Sequence, residues 1–176
     1  MSRARVLLVL ALAGLGGACR GREAPRAEAF RALAVGDTTP RWTTATLAGD
    51  SARIGPGQPV TVLNVWATWC ESCREEMATL EALHREFAPR GVRVLAVSVD
   101  QGAPNRVRRF VADEHLTFAV AHDRDGDVQQ RFRILGVPTT LVLDRDGTVR
   151  WARTGAINGL PGDVRAALQE ALGSGR

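Results

Sequence analysis

The 176-residue chain contains no lysine and no tyrosine, and it has only three cysteines and three histidines. Without lysine every basic residue is an arginine, so the pI of about 10.0 overstates a formal net charge of only +4. The arginines are scattered among acids, and only Arg106, Arg108 and Arg109 cluster, with no aromatic residues between them to stack on bases. Nucleic acid is therefore not an expected partner, and the cluster reads as the solvated face of a helix. The shortage of cysteine argues against a four-ligand zinc site, because the chain offers a single CxxC pair, Cys70 and Cys73. His84, His115 and His122 stand apart from one another and from the cysteines, and all three read as surface residues. Asp123-Arg124-Asp125-Gly126-Asp127 alternates carboxylates, but Gly126 is fourth and Ile134 twelfth where a calcium loop needs glycine sixth and glutamate twelfth. That segment reads instead as a turn capping the next helix.

Arg3 and Arg5 precede an uncharged, leucine-rich run from Val6 to Ala18. The run falls short of the roughly 20 apolar residues a spanning helix needs and fits a secretory signal peptide over residues 1–18. An Arg-, Glu- and Pro-containing tether is expected over 19–33, outside the fold. Cys19 has two readings: a spare thiol beside a cut after Ala18, or the lipidated first residue of the mature chain. Leu15-Gly16-Gly17-Ala18-Cys19 resembles a bacterial lipobox, although Gly16 stands where a large aliphatic residue is expected. Lipidation is preferred, since an odd cysteine in an exported protein calls for an explanation. Loss of Arg3 and Arg5 leaves 21 basic against 19 acidic residues, a body charge of +2 that binds membranes weakly by itself.

Beyond residue 40 the pattern alternates strands and helices, the mark of an α/β domain spanning 34–174. An N-terminal hairpin is predicted from 42–47 and 51–54, and a central strand buried on both faces from the apolar β-branched run 60–66. One helix is expected over 72–88, stopped by Pro89 and Gly91, then a buried strand over 92–99. A helix near 104–115, a short strand over 117–121 and a short helix over 128–132 follow. Strands 139–143 and 148–152 flank the turn Asp144-Arg145-Asp146-Gly147, and Val164, Leu168 and Leu172 give a final helix its apolar stripe.

The CxxC pair lies where a buried strand ends and a helix begins. A structural disulfide there would close so short a loop that it removes little unfolded-chain entropy, whereas Cys70 would sit at the helix N-terminus, where a thiolate is favoured. Cys73, one turn further in, is placed to resolve a mixed disulfide. Cys73, Met77, Leu80, Leu83 and Phe87 share a helical stripe, and Glu76 stands beside it. A partly desolvated Glu76 would have a raised pKa and could take the proton from Cys73. The alternative, Glu76 in water and paired with an arginine, remains open on spacing alone.

Trp66-Ala67-Thr68-Trp69-Cys70-Glu71-Ser72-Cys73-Arg74 resembles the active-site segment of the thioredoxin superfamily, and most of all the TlpA/ResA-type periplasmic thiol:disulfide oxidoreductases. The resemblance extends through Val35-Gly36-Asp37, Pro40, Val97-Ser98-Val99-Asp100, Gly136-Val137-Pro138-Thr139-Thr140 and the Asp144 to Gly147 turn. It implies a thioredoxin fold with an N-terminal β-hairpin and a central insertion, and a cis Pro138 beside the disulfide. It also implies a client groove formed by Trp69, Val137 and Pro138, with the Val137 backbone available to an extended substrate. Glu76 matches the family's redox glutamate by position. Three positions depart from the pattern: Ser72 replaces a usual proline, Ala78 stands where a kinking proline is frequent, and Asn64 occupies the place of the buried aspartate of cytosolic thioredoxins. Asn64 cannot act as a base, so proton handling would fall to Glu76.

Glu71 beside Cys70 opposes a thiolate and Arg74 partly offsets it, a balance leaning toward a reductant. The resemblance implies reduction of selected disulfides outside the cytoplasm, including those of apocytochrome c. The expected protein is a monomer with protein thiol and disulfide clients, a membrane thiol electron donor and a lipid anchor at Cys19. The disulfide would be its redox group, with no metal and no other cofactor. The rival reading is a metallochaperone holding copper between the same thiolates, for which the CxxC spacing is one residue short of the CxxxC of copper-delivery relatives. A peroxidase is set aside, because Ala67 stands where that chemistry needs threonine.

Overall fold

The computed structural model describes residues 31–159 and 162–174. Its chain begins with an antiparallel hairpin of β1 (Trp42–Ala45) and β2 (Ser51–Ile54), in which Trp42 faces Ile54 and Ala45 faces Ser51. The apolar run β3 (Val60–Trp66) follows and is buried along its whole length. Next come α1 (Glu71–Glu75), α2 (Met77–Phe87), a 3₁₀ turn over Ala88–Arg90, β4 (Val92–Ser98), α3 (Asn105–Asp113), β5 (Ala119–His122) and α4 (Asp127–Arg131). The chain closes with β6 (Thr139–Leu143), β7 (Val149–Thr154) and α5 (Gly162–Gly173). The main sheet has the order β5-β4-β3-β6-β7, with β3, β4 and β5 parallel and β6 and β7 antiparallel to their neighbours. The predicted thioredoxin-like α/β fold with its hairpin is present, and α3, the edge strand β5 and α4 lie between β4 and β6.

Alternation along β3 builds a core on each side of the sheet. Val60, Val62 and Trp66 pack with Leu80, Leu83 and Phe87 of α2, Val107 of α3 and Leu168 of α5. Leu63 and Val65 pack on the other side with Trp42 and Ile54 of the hairpin and Val128 and Phe132 around α4. Each fully buried Leu or Phe contributes about 1.5–3 kcal/mol, so β3 with α2 is the most strongly supported part of the molecule. The hairpin is tied to β5 and α4 as well: Trp42 Nε1 donates to Asp127 Oδ2 (2.8 Å), and Leu47 N donates to Val120 O (2.7 Å).

Sharp turns use the residues their geometry needs. Gly91 (φ 85°) ends the 3₁₀ turn in the left-handed region, where a side chain would be strained. At Gly147 (φ 75°) a Cβ would lie 3.0 Å from Pro56, so the β6–β7 turn passes too close to the β2–β3 connection for any other residue. Asp144 organises that turn, accepting from Asp146 N, Thr148 N and Arg150 Nε.

Several boundaries differ from expectation. The helix predicted over 72–88 is two helices that meet at Glu76. Leu33, assigned to the tether, is 9% exposed and joins the hairpin-side core, while Arg31 pairs with Asp37. Residues 1–18 and Cys19 lie outside the described residues. His84 and His122 are not simple surface residues: His84 packs edge-on against Phe118, and His122 Nε2 lies 2.7 Å from Asp100 O. Asp123 caps the next helix as expected, accepting from Val128 N (2.7 Å).

Candidate active site

The end of β3 delivers residues 67–70 to the head of α1. The turn is held from beneath by Asp100, just past β4, which is 4% exposed. Its carboxylate accepts from Thr68 N (2.8 Å), Thr68 Oγ1 (2.5 Å) and Ser98 Oγ (2.7 Å). Charge-assisted bonds of this kind are about twice as strong as neutral ones, so the backbone leading to Cys70 is held in place by Asp100.

Cys70 and Cys73 form a disulfide, with a Cα–Cα separation of 5.2 Å. Cys70 is the N-cap of α1, and its Sγ accepts from Cys73 N (3.3 Å) and from the Ser72 hydroxyl (3.5 Å). Ser72, the residue in place of proline, therefore points its polar group at the outer sulfur. Cys70 is half-buried and reachable, whereas Cys73 is fully buried under the first core. Only one of the two sulfurs is open to a protein-sized disulfide.

Glu76 is 0% exposed, which removes the reading in which it points to water. Its Oε1 accepts from Asn64 Nδ2 (2.7 Å) and its Oε2 from Ile157 N (2.9 Å). Burial pushes its pKa up to about 6, against the pull of the Ile157 and Asn64 donors toward the charged form. The carboxylate is thus poised to gain or lose a proton near neutrality, one helical turn beyond Cys73. Its two donors lie off the helix, and Glu76 (φ −79°, ψ −12°) is the junction where α1 ends and α2 begins, with no proline at position 78.

Val137 and Pro138 are joined by a cis peptide bond, and Val137 O lies 3.8 Å from Cys70 Sγ. Trp69, the residue before Cys70, is 62% exposed. Beyond it, Thr68, Arg74, Arg106, Arg109, Phe110 and Asp113 line a shallow cleft of about 400 Å³. Arg106 and Arg109 thus reach the site from α3, while Arg108 turns away to donate to Leu47 O (2.6 Å). The structure brings Val137, with Pro138 after it, to the Cys70–Cys73 pair; Trp69 adjoins Cys70 in sequence, and Glu76, three residues after Cys73, is buried against Asn64 and Ile157. Cys19 lies outside the described residues. Among the described residues no group of three or more His, Cys, Asp or Glu side chains converges as metal ligands would.

Sequence reasoning did not anticipate Asp100 as the support of the loop, Ile157 N as a partner of Glu76, or Arg106 and Arg109 as neighbours of Trp69. Asp100 carried a signal, since it closes the Val-Ser-Val-Asp strand end. A backbone donor far along the chain carries none.

The family model described as AhpC/TSA matches residues 35–152. The chain is 34% identical over 128 residues to a thiol-disulfide oxidoreductase ResA of Geobacillus kaustophilus, covering 72% of each chain. It is 38% identical over 96 residues to a ResA of Oceanobacillus iheyensis, covering 54% of this chain and half the length of that relative. A solved Chlorobium tepidum structure described as a DsbE thiol:disulfide interchange protein superposes with a TM-score of 0.70 at 25% identity. The match covers 80% of this chain and 99% of that one.

Proposed function

The chain belongs to the AhpC/TSA family, among its thiol-disulfide oxidoreductases, and on that premise we propose that it is a membrane-anchored, extracytoplasmic reductant of selected protein disulfides. The observation carrying this reading is the unequal access of the two sulfurs, Cys70 reachable and Cys73 at 0% exposure. In the dithiol form the Cys70 thiolate attacks one sulfur of a client disulfide, forming a mixed disulfide and expelling the client's other sulfur as a thiolate. Glu76 takes the proton from Cys73, whose thiolate then attacks Cys70 Sγ. The Cys70–Cys73 disulfide forms and the second client thiolate leaves, so two electrons pass from the pair to the client. Trp69, Val137 and Pro138 border Cys70 and are proposed to hold the client chain. The redox group is the cysteine pair itself, without another cofactor, and a membrane thiol carrier is the electron donor that restores the dithiol.

The signal-like leader and Cys19 support the location and the lipid anchor, and apocytochrome c before haem attachment is a candidate client. Ala67, three residues before Cys70, argues against peroxide reduction despite the breadth of the family. The test is insulin reduction together with client trapping. Cys70→Ser should abolish reduction, and Cys73→Ser should accumulate clients covalently held on Cys70. Full activity in Cys70→Ser would overturn the mechanism. Copper kept by the reduced protein through gel filtration would favour the metallochaperone instead.

A further inference from the structure

We propose that the cleft beside Trp69, walled by Arg74, Arg106 and Arg109, is a recognition pocket for an acidic residue flanking the client's cysteine. The inference rests on the exchange reaction proposed above and adds a rule for choosing clients. Three guanidiniums and a single carboxylate, Asp113, line the cleft, so its walls carry a surplus of positive charge. Arg106 and Arg109 are three residues apart on the outward face of α3, hence neighbours on that surface. Within the described residues neither is held in an ion pair or hydrogen bond, and Arg74 reaches only the Thr68 carbonyl (3.4 Å). By contrast, Arg85, Arg131, Arg150 and Arg165 are each committed to a carboxylate of the same chain. Glu71 and Glu75 of α1 do not line the cleft.

Position gives the charge its meaning. Trp69, the residue before Cys70, is 62% exposed and itself lines the cleft, so the cleft adjoins the site where a client would be joined. An extended chain advances about 3.3 Å per residue, so the proposal places the acidic side chain within one to three residues of the client cysteine. Phe110, its ring 5.1 Å from that of Trp66, offers an apolar contact for the stem of a glutamate while the guanidinium forks receive the carboxylate. Charge complementarity therefore selects an acidic peptide segment.

The test uses the reduced protein and three disulfide peptides that differ only in having Glu, Gln or Lys two residues from the reactive cysteine. Wild type should show kcat/KM higher for the Glu peptide than for the Gln peptide by roughly fivefold, the scale of one or two exposed charge pairs. The preference should shrink in high salt. Arg106→Glu/Arg109→Glu, exposed changes that spare the core, should reverse the order toward the Lys peptide, and Asp113→Asn should strengthen the preference for Glu. Equal rates on all three peptides in wild type, or an order unmoved by the double variant, would overturn the pocket while leaving the exchange reaction intact. Failure of wild type to reduce any of the peptides or insulin would overturn both.

Discussion

Glu76 and Glu81 lie near one another along the same helical stretch and both are withdrawn from water, yet burial has opposite consequences for them. Glu76 is 0% exposed and its two donors are a side-chain amide and a backbone N–H, so burial prevails and its pKa rises to about 6. Glu81 is 7% exposed, and burial pushes its pKa up as well, but the Thr117 hydroxyl (2.6 Å), the Thr117 N–H (2.9 Å) and the Arg85 guanidinium (2.9 Å) outweigh that push. Its pKa falls below the ordinary glutamate range. Desolvation alone thus does not make a proton carrier; the supply of donors decides, and at Glu81 the two Thr117 donors, with Arg85 adding to them, favour the charged form. Glu76 is equipped to exchange a proton, and Glu81 to fasten the N-terminal side of β5 to α2.

The sharpest way to break the comparison is Glu76→Gln. It keeps the size of the side chain and removes the proton acceptor, and it should slow the Cys73 resolving step by about 100-fold while removing its dependence on pH near 6. Stopped-flow release of the second client thiol reads this directly, and Glu81→Gln should leave the same pH profile in place. Next in size, Glu81→Ala strands the Thr117 N–H and hydroxyl and should lower the unfolding free energy by about 2–3 kcal/mol in urea titration, with the pH profile of exchange unchanged.

Smaller, but opposite in sign at the two positions, is the effect of pH on stability. As pH rises from 4.5 toward 6, an unfolded Glu76 ionises before the folded one, so the native state loses about 2 kcal/mol across that window. Glu76→Gln should flatten that loss. Glu81, whose folded pKa is lowered, contributes stability that is present above the unfolded value and lost as pH falls toward the folded one. Glu81→Gln should therefore flatten the acid limb instead. Chemical denaturation of the oxidised protein from pH 3 to pH 8 separates the two, and a change of slope of the same sign in both variants, each relative to wild type, would contradict the contrast.

Much of this architecture was legible in the chain because it follows from local pattern. The apolar β-branched run at Val60 can satisfy its periodicity only as a strand with two buried faces, and Pro89 with Gly91 can only end a helix. The stripe through Cys73, Met77 and Leu80 placed Glu76 beside apolar surface. What spacing could not decide was whether the carboxylate turned inward, because the answer depends on Asn64 and Ile157. The helix break was not legible either: a periodic pattern runs through Glu76 without interruption, and no proline or glycine marks the junction between α1 and α2. His84 and His122 looked solitary in sequence, yet each is partly covered by an element from elsewhere in the chain, Phe118 and Asp100 respectively.

The amino-acid sequence by itself determined the order of the elements and the one-turn offset that places Cys70 at the head of α1 and Cys73 inside it, since both rest on periodicities of a few residues. Tertiary structure alone decided which carboxylate can carry a proton, which aspartate steadies the loop and which arginines reach Trp69. Those outcomes depend on dielectric surroundings and on donors brought in from distant segments, and neither exists until the sheet closes and its two faces are covered.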